Sequence, residues 1–309
     1  MEGAMSRFFW KIVVSYDGTN FHGWQVQPGQ PTIQGTLATV LKRLTGETVL
    51  PQGSGRTDAG VHALGQVASF SLRAPLPAEN LLRAMNRLLP GSVRVLRVER
   101  VAEEFHARRD ALRKTYEYRI FERRVQASVE RICSPFLAPF AWDCRWPLDV
   151  ASMAQAAAEL RGTHNFTSFA ATDPELRVRE EEEQEEDEDE HGAGSGPNPV
   201  KTIDQSCVFR QDGLLLYRVT GSGFLHHMVR NIVGTLVEIG RGAMEVEQLA
   251  KILEARNRTL AGPTAPARGL FLIDVDYGES TQAASDETAL SSERSPEPGS
   301  TALSYGDRP

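Results

Sequence analysis

The sequence predicts an α+β protein in which two similar series of strands and helices follow each other along the chain. Three observations lead to this prediction. Short runs of aromatic and β-branched residues indicate strands, stretches with apolar residues at helical spacing indicate helices, and both kinds occur in each half of the chain. A chain of 309 residues is long enough for two lobes that each bury a core.

The first half is predicted to run strand, helix, strand, helix, strand. In the first helix the apolar residues recur at helical spacing, Thr32 can cap the start, and Gly46 can end it. Pro77 suits the first turn of the second helix, which Pro90 and Gly91 close. The predicted elements are residues 8–16, 32–44, 66–72, 77–89 and 93–101.

The second half is predicted to contain four strands and three helices. Asp212-Gly213 separates two strand-like runs and is a strong hairpin signal. The halves show no clear sequence repeat, so only the order of elements suggests a duplication. The strands are residues 114–121, 201–210, 214–220 and 269–277, and the helices are residues 148–160, 225–239 and 246–255.

These elements divide the chain into an N-terminal lobe at residues 1–104 and a C-terminal lobe at 105–277. We expect residues 179–199 to be a disordered acidic insert, because residues 180–190 hold ten acids and no base. We also expect a disordered tail at residues 278–309. Without the acidic run and the tail, the net charge changes from −7 to +7. A basic body suits a polyanionic partner, although it is also ordinary for a protein of this size.

Composition argues against several other classes of protein. No stretch reaches the roughly 18 apolar residues of a membrane span, and the N-terminus lacks the features of a signal peptide. Cys133, Cys144 and Cys207 are far apart and form no metal-binding pair. We therefore expect a cytoplasmic protein without a disulfide framework, a structural metal or a membrane anchor.

The glycine-rich segment at residues 55–62 (GRTDAGVH) holds a carboxylate, a guanidinium and an imidazole: Asp58, Arg56 and His62. Glycines let such a loop bend tightly and approach a ligand. From the pattern alone, Asp58 is either a turn-forming residue or a catalytic carboxylate. The glycine spacing does not fit a dinucleotide-binding fingerprint.

This loop and nine further motifs resemble, in the same order, those of TruA-type tRNA pseudouridine synthases. The resemblance extends from about residue 9 to residue 277, with the acidic insert outside it. The motifs are residues 16–18 (YDG), 21–25 (FHGWQ), 58–66 (DAGVHALGQ), 86–91 (NRLLPG), 105–108 (FHAR), 114–118 (KTYEY), 166–169 (FTSF), 224–234 (FLHHMVRNIVG), 258–259 (RT) and 269–270 (GL).

The resemblance implies a pseudouridine synthase fold, in which two lobes of mixed or antiparallel sheet are flanked by helices and enclose a central cleft. It implies a homodimer that acts on the anticodon stem-loop of tRNA and isomerises uridine at the family's sites 38, 39 and 40. An isomerisation needs no redox cofactor and no energy source, so we expect no small-molecule cofactor and no metal. One carboxylate also separates this chemistry from that of ordinary glycosidases, which use two.

By resemblance, Asp58 is the catalytic carboxylate and Tyr116 stacks on the target uracil. Tyr118 lies two residues further along the same predicted strand, so we expect it to share that face and to belong to the core. Arg56 is expected to pair with Asp58 or to help hold the nucleotide out of the RNA stack. Arg230 is expected to pair with Asp58 or to bind RNA.

His62 and Leu270 each have two alternative roles at this stage. His62 either contacts a phosphate or completes the hydrogen bonds of its loop. Leu270 either forms an apolar wall of the uracil pocket or is a core leucine. His226 and His227 fall in the predicted helix at 225–239, where adjacent side chains point to different faces, so we expect them to form a poor metal site.

Two alternative functions stay open at this stage. The protein could be a pseudouridine synthase of the same fold that acts on another RNA, because one carboxylate serves all such enzymes. It could also be a non-catalytic RNA-binding protein, which the presence of Asp58 disfavours.

Overall fold

A computed structural model describes residues 7–123, 125–126, 129–171 and 198–278. The acidic run at residues 180–190 and the tail from residue 279 lie outside the described residues, so the two predictions of disorder there stay predictions. None of the described helices is both long and apolar enough to cross a lipid bilayer.

The described residues form one large mixed sheet with α-helices packed on it, which confirms the predicted α+β class. Its strands are β1 (Phe8–Tyr16), β2 (Gln52–Gly53), β3 (His62–Leu72), β4 (Val93–Arg100), β5 (Arg113–Glu122), β8 (Trp142–Cys144), β9 (Gly162–Asn165), β10 (Val200–Gln211), β11 (Leu214–Gly221) and β12 (Leu270–Asp276). Strands β6 (Val125–Gln126) and β7 (Val129–Glu130) form a separate small pair. The order in the large sheet is β4-β1-β3-β12-β5-β11-β10-β9, with β2 beside β3 and β8 beside β5.

The α-helices of the described residues are α1 (Ile33–Thr45), α2 (Ala78–Leu88), α3 (Val150–Glu159), α4 (Met228–Gly240) and α5 (Gln248–Ala255). Helix α1 has the predicted ends: the Thr32 side chain accepts from the Gly35 N–H, and Gly46 is left-handed. Helix α4 is the most completely buried, since nearly all of its residues face the core.

Helix α4 begins three residues later than its apolar pattern predicts. His227 adopts the left-handed conformation, with φ 58° and ψ 4°, so the chain turns sharply immediately before Met228. The prediction of a helix from residue 225 was therefore wrong at its start. Apolar periodicity could not reveal this, because Leu225 is buried like the helical residues that follow.

Strand β12 joins the two halves of the sheet although it comes last in the described chain. It runs parallel to β3, where Phe271 pairs with His62, and antiparallel to β5, where Leu270 pairs with Tyr118. The predicted lobe boundary at residues 104/105 falls between β4 and β5 in the chain. In the sheet, these two strands lie on opposite sides of β12. Strand β12, the last strand of the second half, thus pairs with β3, the strand that follows the glycine-rich loop.

Helix α4 also lies very close to the segment before β12. A Cβ atom added to Gly234 would stand 1.6 Å from the Pro263 carbonyl oxygen, so only glycine allows this approach. The Ala265 N–H donates to the Arg230 carbonyl oxygen at 3.1 Å, which ties the first turn of α4 to the same segment. These contacts fix the part of α4 that carries Arg230.

Candidate active site

The glycine-rich loop between β2 and β3 is held in place by hydrogen bonds from several directions. The Trp24 N–H donates to the Thr57 carbonyl oxygen at 3.0 Å, and the Tyr16 and Thr57 hydroxyls lie 2.8 Å apart. The Gln66 side chain donates to the Gly55 carbonyl oxygen at 2.9 Å. Because Thr57, the residue before Asp58, and Gly55 are bound in this way, the backbone that leads into Asp58 has a defined position.

The Asp58 carboxylate faces three nitrogen groups of the segment that begins α4. Arg230 Nη1 donates to Oδ2 at 2.9 Å, His227 Nε2 lies 3.3 Å from Oδ2, and His226 Nε2 lies 3.6 Å from Oδ1. The Asp58 side chain is 22% exposed, so the carboxylate is partly sheltered and still reachable from solvent. A carboxylate that is oriented by a cation and is reachable from solvent can contact a bound ligand.

Arg230 is fixed at both ends of its guanidinium. Its Nε donates to the Ala265 carbonyl oxygen at 2.8 Å while Nη1 holds Asp58. The side chains that Asp58 contacts come from the first turn of α4 and the turn immediately before it. Of its two expected roles, the structure shows Arg230 pairing with Asp58.

The two histidines do not diverge as the sequence analysis expected. They precede α4, and the left-handed turn at His227 brings both imidazoles onto one side, with ring centroids 3.9 Å apart. One ligand atom from each histidine and one oxygen of Asp58 all lie within 4.8 Å of one another. The prediction of a poor metal site assumed a helix here and was wrong in that premise.

Tyr116 and Tyr118 lie on one face of β5, two residues apart. Tyr116 is 8% exposed, and its ring meets the Phe224 ring edge-on at 5.0 Å. Burial, followed by Tyr16 and Asp58, raises the pKa of Tyr116, so its phenol is neutral. Tyr118 is buried and donates to the Pro266 carbonyl oxygen at 2.7 Å. Leu270 pairs with Tyr118 across the strands and is buried on that same face.

The chain matches the family model for tRNA pseudouridine synthase over residues 12–110 and 156–278. The chain belongs to the tRNA pseudouridine synthase family. It is 49% identical over 267 residues to the tRNA pseudouridine synthase A of Solibacter usitatus, which covers 86% of this chain and 98% of the relative. It is 45% identical over 269 residues to the tRNA pseudouridine synthase A of Moorella thermoacetica, and this match covers 86% of this chain and 98% of the relative.

Family membership confirms the resemblance seen in the sequence. This tRNA pseudouridine synthase is an isomerase that converts uridine to pseudouridine in tRNA. The second matched range spans the acidic run at residues 180–190, which the sequence analysis placed outside the resemblance, whereas residues from 279 onward lie outside the match.

The structure places the other predicted site residues at different distances from the surface. Arg56 is half-buried in the same loop as Asp58, and its two expected roles stay open.

His62 is buried and stacks on Phe271, with ring centroids 4.7 Å apart. Its Nδ1 accepts from the Gly18 N–H at 3.1 Å, and its Nε2 lies 3.1 Å from the Pro139 carbonyl oxygen. Both ring nitrogens are thus engaged within the protein, which favours the hydrogen-bonding alternative over contact with a phosphate.

Lys114 is a site residue that the sequence analysis quoted only within its motif. Its ammonium donates to the Ser54 carbonyl oxygen beside the glycine-rich loop. Burial, followed by Arg108 and Lys201, lowers the pKa of Lys114 to about 8. Period-two alternation could have identified it, because Lys114 precedes Tyr116 by two residues and so shares its face.

The pH dependence of stability tests the buried role of His62. Burial lowers the pKa of His62, so the unfolded chain binds this proton more readily than the native protein. The stability that a neutral His62 contributes is present above the unfolded pKa of about 6.5 and is lost as the pH falls below it. Glutamine can still accept from Gly18 but does not titrate. We therefore expect the free energy of unfolding to fall less steeply from pH 7 to pH 5 in His62→Gln than in the wild type.

Urea unfolding at several pH values measures this slope. His164→Gln is the control, because it removes a histidine from β9 and leaves the loop intact. Equal slopes in the wild type and His62→Gln would contradict a neutral, internally bonded His62.

Proposed function

We propose that the protein forms pseudouridine in the anticodon stem-loop of tRNA, at the family's sites 38, 39 and 40, with Asp58 as the catalytic carboxylate. The observation that carries this proposal is the position of Asp58: a partly exposed carboxylate on a hydrogen-bonded loop, oriented by Arg230. Tyr116 lies near enough for Asp58 to influence its pKa.

The reaction breaks the bond between N1 of uracil and C1′ of the ribose, turns the base, and joins C5 to C1′. The proton that C5 releases is balanced by one that N1 takes up, so the composition does not change. An anion near the ribose or the base assists either by covalent attack or by stabilising a cationic sugar. Both roles need the carboxylate to be aimed at the substrate, and Arg230 supplies that aim by binding Oδ2 and leaving Oδ1 without this partner.

The remaining site residues have supporting roles in this proposal. Tyr116 offers a flat ring on which a uracil turned out of the RNA can stack. Because Tyr116 is 8% exposed without RNA, its neighbours, Phe224 among them, must move aside when the base enters. Leu270 supplies apolar surface on the same face, and Arg56 helps to keep the nucleotide out of the stack. His62 positions the loop from within the protein.

The basic group formed by Arg108, Lys114 and Lys201 supports an RNA partner. Arg108 and Lys201 both contribute to the lowered pKa of Lys114, and the Lys114 ammonium donates to the Ser54 carbonyl oxygen beside the loop. Such a group binds phosphates without reading bases. We propose that a homodimer in the cytoplasm grips tRNA in this way, through backbone and shape rather than base sequence.

Replacing Asp58 tests its catalytic role. Asparagine has nearly the size of aspartate but is not an anion, so Asp58→Asn should lower the single-turnover rate by about 1000-fold or more, which is roughly 4 kcal/mol. Affinity for tRNA should stay within about 3-fold of the wild type. Asp212→Asn is the matched control, because Asp212 lies at the tip of the β10–β11 hairpin. A rate for Asp58→Asn within about 10-fold of the wild type would remove this carboxylate from the mechanism.

The sites of modification are tested in a strain that lacks the gene. Expression of the wild type, but not of Asp58→Asn, should restore pseudouridine at sites 38, 39 and 40 of tRNA, as mapped by mass spectrometry of RNA fragments. Restoration only at other sites, or only in another RNA, would support the alternative of a synthase with a different target.

The lowered pKa of Lys114 predicts how RNA affinity depends on pH. Lys114 is charged below about pH 8 and loses its proton as the pH rises through that value, so its attraction to phosphates declines. The affinity for tRNA should fall from pH 7 to pH 9 in the wild type and fall less in Lys114→Arg, whose guanidinium stays charged. Lys42→Arg, on the exposed side of α1, should behave as the wild type does. Equal pH profiles for Lys114→Arg and the wild type, at low salt, would exclude Lys114 from RNA binding.

A further inference from the structure

The group formed by Asp58, His226 and His227 has the composition and spacing of a transition-metal site. Ligands bound tetrahedrally to zinc at about 2.0–2.1 Å lie about 3.3 Å from one another. His227 Nε2 is 3.3 Å from Oδ2 of Asp58, and His226 Nε2 is 3.6 Å from Oδ1. All three residues come from a loop and a turn that the fold already holds in place, so little reorganisation is needed.

We propose that these three side chains bind a zinc-class divalent cation in the RNA-free protein. Two imidazoles and one carboxylate suit zinc, cobalt(II) or nickel, whereas magnesium prefers oxygen ligands alone. The side chains are 22%, 23% and 27% exposed for Asp58, His226 and His227, so an ion from solvent can reach them and a water can complete the coordination.

Arg230 does not exclude this metal. It binds Oδ2 of Asp58, and a carboxylate commonly gives one oxygen to a metal while the other accepts a hydrogen bond. Oδ1, which faces His226, is then the metal-binding oxygen, and His227, whose Nε2 lies 3.3 Å from Oδ2 before the ion enters, completes a set of ligand atoms that lie within 4.8 Å of one another. His227 closes the site from the left-handed turn before α4, the feature that the apolar pattern of the sequence concealed.

Occupation of this site ties the Asp58 carboxylate to the cation, so we expect the metal to inhibit the enzyme. The metal site itself does not depend on the catalytic role of Asp58; only the inhibition rests on the proposed function. The two can therefore be tested separately.

Cobalt(II) is the probe for the site, because its visible absorption reports coordination directly. Full-length, tag-free protein titrated with cobalt(II) should show one saturable equivalent with the absorption of a low-coordinate nitrogen and oxygen site, without the near-ultraviolet band of cysteine ligation. His226→Ala and His227→Ala should each weaken binding by about 10-fold or more, whereas His164→Ala should not. Thermal melting confirms that each variant is folded.

The absence of a saturable spectrum, or equal affinity in the wild type and both site variants, would overturn the metal site. In the activity assay, with magnesium in excess to protect the tRNA, His226→Ala should need about 10-fold more zinc than the wild type for half-inhibition, each relative to its own metal-free rate. If cobalt binds at the site but zinc does not inhibit, the metal site is supported and the catalytic role of Asp58 is contradicted.

Discussion

The ion pair between Asp58 and Arg230 joins two parts of the chain that are 172 residues apart. Each partner depends on a different piece of the fold. Asp58 stands on a loop whose backbone is bound by Trp24 and Gln66, and Arg230 stands on the first turn of α4, bound to Ala265. A partly sheltered charge is costly without a partner, so the two halves of the protein must meet correctly for either side chain to be stable.

The central strand β12 joins the two halves of the sheet. It pairs with β3, which begins at His62 immediately after the loop, and with β5, which carries Lys114, Tyr116 and Tyr118 on one face. The stacking of His62 on Phe271 adds a side-chain contact at the same junction. The carboxylate, the tyrosine platform and the basic group are therefore brought together by the pairing of one late strand with two earlier ones.

Much of this arrangement could be predicted from sequence, and the failures have identifiable causes. Long elements such as β1 and α1 show a clear period and recognisable ends, and the ordered motifs along the chain, the one around Asp58 among them, identified the family. Strands β2, β8 and β9 were missed because two to four residues carry too little period to detect. The convergence of His226 and His227 on Asp58 was missed because a non-glycine residue with φ of 58° has no reliable local signal.

A double-mutant cycle on Asp58 and Arg230 tests most directly whether these residues act as one unit. The free energy of unfolding is measured for the wild type, Asp58→Asn, Arg230→Gln and the double variant. If the ion pair joins the two halves as described, the effects should be non-additive, with a coupling of about 1–3 kcal/mol. Additivity within about 0.5 kcal/mol would show that the two side chains are energetically independent and would contradict this account of the site.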